Sequence, residues 1–125
     1  MAVRILGAIA EFPMIANGFG WIQNPAQTAE SLGMPLLDGM GRSTQIGDFT
    51  SFFLSAALLA LYGVLRKSSG ACFAAALLLG LAAVGRLLAT ALHNAPLAGL
   101  FIGVEIVLAV VWIACGTFFH RVRST

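Results

Sequence analysis

Four charged residues interrupt the long apolar runs of this sequence: Glu11, Asp48, Arg86 and Glu105. An ionised side chain at the centre of a membrane helix costs about 2.5 to 3.5 kcal/mol on insertion scales, so unpaired charges in such runs are disfavoured. A guanidinium in this setting can pair with a carboxylate, and a carboxyl group can hold a proton or a ligand. The sequence therefore predicts a polar cluster inside an apolar protein.

Arg86 and Glu105 are predicted to pair across neighbouring helices. At about 1.5 Å per residue, Arg86 lies about 9 Å and Glu105 about 13 Å below the outer surface, a difference that an arginine side chain covers. A bidentate pair is the favoured geometry in a low dielectric. Glu11, about 16 Å deep, could be a second acceptor for the guanidinium, or could be protonated because burial disfavours the charged form. The cluster then either fixes helix packing or lines a cavity for a ligand or protons.

Other polar residues are predicted at the same level. Arg86, Thr90 and His93 follow i, i+4, i+7 spacing and so share a helix face. Asn17 lies about 7 Å below the outer surface by the same count. These residues could line a funnel that opens outward, with Asp48, Thr44, Gln45 and His93 at its rim. No metal site is predicted, because convergent His, Cys or carboxylate spacing is lacking.

The elements that position these residues are predicted to be membrane-spanning helices. Of the 125 residues, 59% are hydrophobic and 10% are charged, against about 45 to 50% and about 25% in a soluble domain. A chain this short cannot bury the excess in its own core. The net charge of +2 does not indicate nucleic-acid binding. Composition therefore predicts an integral membrane protein whose environment is lipid.

Residues 1–125 are interpreted as a single transmembrane domain, an all-α up-down bundle of four helices. Very short connections follow the second and third apolar runs, so neighbouring helices must run antiparallel. Each run is close to the ~20 residues that a spanning helix needs. The four runs are 2–22, 46–65, 71–92 and 96–119.

The first run and the connection after it carry signals of their own. Pro13 is expected to kink the first helix, which is interpreted as retained rather than as a signal peptide. In the connection 23–45, an N-cap at Asn24 and Pro25 at the first helical position predict a short helix that ends at Leu32. This helix is expected at the membrane interface, where the connection is either a lid or a plain connector.

The cations predict an orientation. Short cytoplasmic loops hold the excess of Lys and Arg, and in the four-span arrangement five cations fall on one side against Arg42 on the other. Both termini are therefore predicted to be cytoplasmic. The five are Arg4, Arg66, Lys67, Arg121 and Arg123.

Small residues at four-residue spacing predict close helix contacts. Gly99 and Gly103 form a Gly-x-x-x-Gly step in the fourth helix, and Ala76 and Gly80 repeat the spacing in the third. Such steps pack helices within a bundle, or join two copies of the chain.

The sequence also resembles a known family. The segment 84–88, Val-Gly-Arg-Leu-Leu, is followed by a short polar turn, Pro96 and the in-helix Glu105. This order resembles a family of small bacterial four-helix membrane proteins of unknown function that is grouped with the DoxX-like superfamily. The resemblance implies a location in the bacterial inner membrane and makes Arg86 and Glu105 the signature polar pair. DoxX-like relatives include subunits attached to quinone-linked respiratory enzymes, which implies an accessory role by analogy.

The resemblance extends over residues 7–112. Asn24-Pro25 after the first helix and Gly41-Arg42 before the second are similar to the family pattern. The chain departs from the pattern where an acidic-arginine step usually opens the second helix, because Asp48 stands there alone. A second charged pair is therefore not carried over.

Three functions of different classes remain. The first is a non-catalytic accessory subunit that packs against a larger membrane complex, with lipids and partner subunits or a second copy as its partners. The second is a binder of a small amphiphile, a quinone or a lipid, whose head group lies at Arg86, Glu105, Glu11 and Asn17. The third is a minimal proton-coupled transporter built on the two glutamates. No catalytic or cofactor motif is recognised, so an enzyme is not favoured.

Overall fold

The computed structural model describes residues 2–123, without the side chains of residues 2–4, 6 and 123. The side chains of Arg4 and Arg123, which contribute to the predicted orientation, thus lie outside the described part. Residues 2–123 form helices and no strand, in agreement with the predicted all-helical class. The helices are α1 (Ala2–Ala10), α2 (Phe12–Gln23), α3 (Pro25–Ser31), α4 (Gly39–Arg66), α5 (Ser69–His93) and α6 (Gly99–Arg123).

Three of these helices are long and apolar enough to cross a bilayer. They contain 28 residues in α4, 25 in α5 and 24 in the segment Gly99–Val122 of α6. At about 1.5 Å per residue each exceeds the ~30 Å hydrocarbon core. Their outer faces carry exposed large apolar side chains such as Leu58, Leu81 and Val107, which indicates a membrane protein with lipid around it.

The first apolar run forms two helices where a single kinked one is expected. α1 ends at Ala10, Glu11 lies in a turn, and α2 has Pro13 in its first turn. Proline has no N–H to donate to the carbonyl of Ile9, so the helical hydrogen bonds are interrupted there. The break leaves segments of 9 and 12 residues, neither of which could span a bilayer by itself.

The short helix predicted at Pro25 is present as α3. The side chain of Asn24 accepts the backbone N–H of Gln27 at 3.3 Å, as the N-cap signal predicts. The helix ends at Ser31, one residue before the predicted Leu32.

α4 begins at Gly39, seven residues before the predicted span start at 46. Gly39, Gly41 and Ser43 have low helix propensity, so the early start depends on local side-chain contacts. Arg42 Nη2 donates to Asp38 Oδ1 at 2.7 Å, an i, i+4 ion pair that supports the first turn of the helix. Asp48, which the sequence predicts at the rim of the funnel, is an exposed residue of α4.

The connection before α4 is tied to this helix by Gln45. Its Oε1 accepts the N–H of Leu37 at 2.9 Å, and its Nε2 donates to the carbonyl of Pro35 at 3.1 Å. The side chain is buried, so both bonds satisfy groups that water does not reach. The connection is therefore held against the bundle.

The core lies between α2, α4, α5 and α6. The most extensive contact is between α5 and α6, followed by α2 with α4 and α4 with α5. α1 contacts α4 and α6. At Gly63 the helices α4 and α5 approach so closely that an added Cβ would lie 2.6 Å from Cys72 Sγ and 3.1 Å from Cys72 N. Core members are mostly small or aromatic, and include Ala57, Ala60, Ala75, Trp21 and Trp112.

Candidate functional site

The first polar centre joins α5 to α6. Arg86 Nε donates to both carboxylate oxygens of Glu105, at 2.9 Å to Oε1 and 3.2 Å to Oε2. The Glu105 side chain is 7% exposed and the Arg86 side chain 31%. The pair thus forms through one nitrogen, whereas a fork of two parallel N–H bonds is expected. The two terminal nitrogens of Arg86 have no acceptor within residues 2–123.

Two neighbours contact Arg86, one at its guanidinium and one at its backbone. The Cζ atom of Arg86 lies 5.0 Å from the centre of the Phe101 ring, within the range of a cation–π contact. The hydroxyl of Thr90 donates to the backbone carbonyl of Arg86 at 3.2 Å. Thr90 therefore contacts the backbone of α5 rather than the ion pair itself.

The second polar centre lies in the core. Trp112 Nε1 on α6 donates to Glu11 Oε1 at 2.8 Å, and both side chains are fully buried. The other carboxyl oxygen, Glu11 Oε2, is buried with no hydrogen-bond partner within the described residues. An indole N–H is a neutral donor, so this pair lacks the charge compensation that Glu105 receives.

Glu11 is not a second acceptor for Arg86. Its hydrogen bond goes to Trp112, which follows Glu105 by seven residues on α6. Seven residues correspond to about 10 Å along a helix, which is too far for one guanidinium to contact both carboxyls. The single predicted cluster is therefore two separate centres on the same face of α6.

The remaining predicted site residues do not join the ion pair. Asn17 Nδ2 donates to the carbonyl of Pro13 at 2.9 Å, within its own helix. Asn17 also lines a separate groove of about 350 Å³ between α2 and α3. Asp48 and His93 are exposed and make no hydrogen bond to Arg86.

The small residues predicted to pack helices have different roles. Ala76 is buried in the core. At Gly80, Gly99 and Gly103 an added Cβ would meet no atom within 4 Å. Gly99 and Gly103 instead line an open groove of about 410 Å³ on the outside of α6, together with Leu100, Val104, Val107 and Leu108. Among the described residues the Gly-x-x-x-Gly step thus packs against no other helix, because Glu105 and Trp112 lie on the opposite, buried side of α6.

Two contact residues are absent from the sequence-based site: Trp112 and Phe101. Spacing could have indicated Trp112, because residues seven apart share a helix face and Glu105 marks the buried face of α6. Phe101 lies four residues from Glu105 and could have been found in the same way. Gln45, predicted at the rim of the funnel, instead binds backbone groups of the connection before α4.

Two further findings concern metal-binding residues and similarity to known proteins. Within the described residues, no group of three or more His, Cys, Asp and Glu side chains could hold a metal ion. Comparison with known protein families, curated proteins and solved structures finds no match to this chain.

Proposed function

We propose that this chain is a small polytopic membrane protein that acts as a non-catalytic accessory subunit and packs against a larger membrane complex through α6. The observation that carries the proposal is the open groove at Gly99 and Gly103. Helices in lipid associate where small residues let their backbones approach closely. A glycine step that the chain leaves free on its outer surface fits a helix of another subunit.

Four spans are proposed, with α1 and α2 together forming the first. Residues 2–23 cover about 33 Å at 1.5 Å per residue, enough for the ~30 Å hydrocarbon core. The break at Glu11 is compatible with a membrane interior because the carboxyl is buried against Trp112. Irregular backbone at membrane depth is tolerated where it is buried in protein.

The proposed location is the inner membrane of a bacterium, with both termini in the cytoplasm. Arg66 and Lys67 lie at the connection between α4 and α5, which supports a cytoplasmic position for that turn. Membership in the DoxX-like superfamily is part of the proposal, and the ion pair between Arg86 and Glu105 supports it. Lipids and partner subunits are the proposed partners.

A matched pair of glycine substitutions tests the docking face. Gly103 lies in the groove on α6 and Gly47 at an exposed position on α4, and at both an added Cβ would meet no atom within 4 Å. Gly103→Leu puts a bulky side chain in the groove, and Gly47→Leu puts the same side chain outside it. Both changes replace a helical glycine and so remove the same backbone penalty of about 1 kcal/mol. The tagged variants are extracted gently from the native membrane, and the proteins that co-purify are quantified by mass spectrometry.

We expect wild type and Gly47→Leu to retain a membrane protein in fixed stoichiometry, and Gly103→Leu to lose it. Equal retention by Gly103→Leu would contradict docking at this groove. Recovery of the chain alone, at any extraction strength, would contradict the accessory role itself. A second copy of the chain as the sole partner would replace the role with self-association.

A further inference from the structure

We propose that the terminal nitrogens of Arg86 bind the acyl ester carbonyl of a membrane glycerolipid without net charge, where α5 meets α6. The site lies away from the glycine groove of α6 and does not depend on docking there. It adds a specific lipid-binding site to the proposed function.

The first argument is the count of donors. Guanidinium carries five N–H groups and stays charged in proteins. One of them, on Nε, serves Glu105, while the four on the terminal nitrogens have no acceptor within residues 2–123. With 31% of the Arg86 side chain exposed, these donors point out of the protein, where a polar group that lies in lipid needs an acceptor. The environment must therefore supply acceptors.

The second argument is the level of the guanidinium in the bilayer. It contacts Glu105 and the ring of Phe101, which lie about 9 Å and about 3 Å from the start of α6 along the axis. A 25-residue helix is about 38 Å long and extends about 4 Å beyond each side of a ~30 Å hydrocarbon core. The guanidinium therefore lies near the hydrocarbon boundary. Acyl ester groups lie at this boundary, and phosphates lie further out.

The third argument is charge. Arg86 and Glu105 together are neutral, because the buried carboxylate compensates the guanidinium. An anionic ligand would bring an uncompensated negative charge next to Glu105 in a low dielectric. An ester carbonyl accepts the same hydrogen bonds without that repulsion.

The surface below the guanidinium suits an acyl chain. Ala82 and Leu78 lie four and eight residues before Arg86 and so share its face of α5. Both are apolar and half-buried. An ester held at Arg86 would have its hydrocarbon chain continue along this face toward the middle of the membrane.

Solid-state NMR can detect the contact directly. The protein, with ¹⁵N-labelled arginine, is reconstituted in vesicles of a phosphatidylcholine whose ester carbonyls are ¹³C-labelled, and dipolar dephasing of the guanidinium nitrogens by those carbonyls is measured. Arg86→Lys keeps a cation for Glu105 but removes the two terminal guanidinium nitrogens. Arg42→Lys is the matched control, because Arg42 also pairs with a carboxylate but lies outside this site. Circular dichroism verifies that each variant keeps its helices.

In the wild type, we expect part of the guanidinium ¹⁵N signal to be dephased by the lipid ester carbonyls. This part of the signal should be absent in Arg86→Lys and present in Arg42→Lys. In Phe101→Leu, which keeps an apolar side chain but removes the ring, the dephased part should weaken by at least about half, since the cation–π contact no longer holds the guanidinium at the boundary. This second variant keeps the test decisive if Arg86→Lys fails to fold.

Three other results are informative. Identical dephasing in wild type and Arg86→Lys would overturn the proposal. Dephasing of the Arg86 nitrogens by lipid ³¹P, without a carbonyl effect, would overturn it in favour of a phosphate site. A non-lipid carbonyl compound that co-purifies in stoichiometric amount with wild type and Arg42→Lys, but not with Arg86→Lys, would support the same chemistry from a different source.

Discussion

Two buried glutamates, Glu105 on α6 and Glu11 between α1 and α2, have contrasting hydrogen-bond partners. Glu105 receives a charged donor, Arg86, in a pair that is partly exposed on the side of the guanidinium. Glu11 receives a neutral donor, Trp112, and is completely buried with one oxygen unpartnered. Both link segments that are distant in the chain, yet only the first compensates a charge. The chemistry of an intramembrane carboxyl is thus determined by its partner as much as by its depth.

The difference follows from the elements that present each side chain. Glu105 is on a continuous helix whose antiparallel neighbour carries a cation at nearly the same level. Glu11 is at the break between α1 and α2, where Pro13 interrupts the helix and the nearest polar group on α6 is an indole. The first centre is therefore suited to an interhelical ion pair with donors left over for lipid. The second is suited to fixing the break between α1 and α2.

Removal of the indole should have the largest effect of any change at these two centres. Trp112→Ala deletes a fully buried ring in the core, and such truncations cost about 3 to 5 kcal/mol. The free energy of unfolding, measured by steric trapping in bicelles, should fall by this amount. A loss below about 1 kcal/mol would mean that the ring is not a core element.

Loss of the carboxylate charge at the first centre should have the next largest effect. Glu105→Gln leaves Arg86 without its counterion, and breaking a buried pair from one side costs about 3 to 5 kcal/mol. Because Arg86 is partly exposed, we expect about 2 to 3 kcal/mol in the same assay. Glu30→Gln, on an exposed residue, is the control and should change stability by less than about 0.5 kcal/mol. A similar change for both variants would argue against the ion pair.

Removal of the indole donor alone should be milder. Trp112→Phe keeps an aromatic ring but leaves both oxygens of Glu11 without a donor, which costs about 1 to 2 kcal/mol for the unmade hydrogen bond. Part of any loss comes from the smaller ring. The same substitution in a Glu11→Leu background isolates the hydrogen bond, and there the cost should shrink by about 1 kcal/mol.

Replacement of the core carboxyl by an amide should have the smallest effect. Glu11→Gln keeps an oxygen that accepts the N–H of Trp112 and removes no ion pair, so stability should change by less than about 1 kcal/mol. Comparison with Glu105→Gln in one series of unfolding measurements sharpens the contrast between the centres. Equal losses for the two variants would show that Glu11 also has a charged partner.

Much of the fold follows from local signals in the sequence. The all-helical class and α3 were predictable because hydropathy and an N-cap at Asn24 act locally. The early start of α4 was not, since exposed polar residues look like a loop in a hydropathy pattern. The break at Glu11 was predictable only as a kink, because the effect of Pro13 depends on the packing around it.

The polar centres were predictable in part. Opposite charges on adjacent antiparallel helices at similar depth indicate a pair, and the structure joins Arg86 to Glu105. The predicted depths also place Glu11 beside Arg86 and Glu105, because a depth along the helix axis takes no account of rotation about that axis. The outward position of Gly103 could not be inferred for the same reason. Spacing identifies which residues share a face but not which face meets a neighbour.

The most direct test of this account is a pair of double-mutant cycles in one bilayer system. The interaction energy of Arg86 with Glu105 is measured with the changes Arg86→Leu and Glu105→Leu. That of Glu11 with Trp112 is measured with Glu11→Leu and Trp112→Phe. We predict a coupling of about 2 to 3 kcal/mol for the ion pair and about 1 kcal/mol for the neutral hydrogen bond. Equal couplings, or a larger one for Glu11 with Trp112, would contradict the distinction between a charged and a neutral centre.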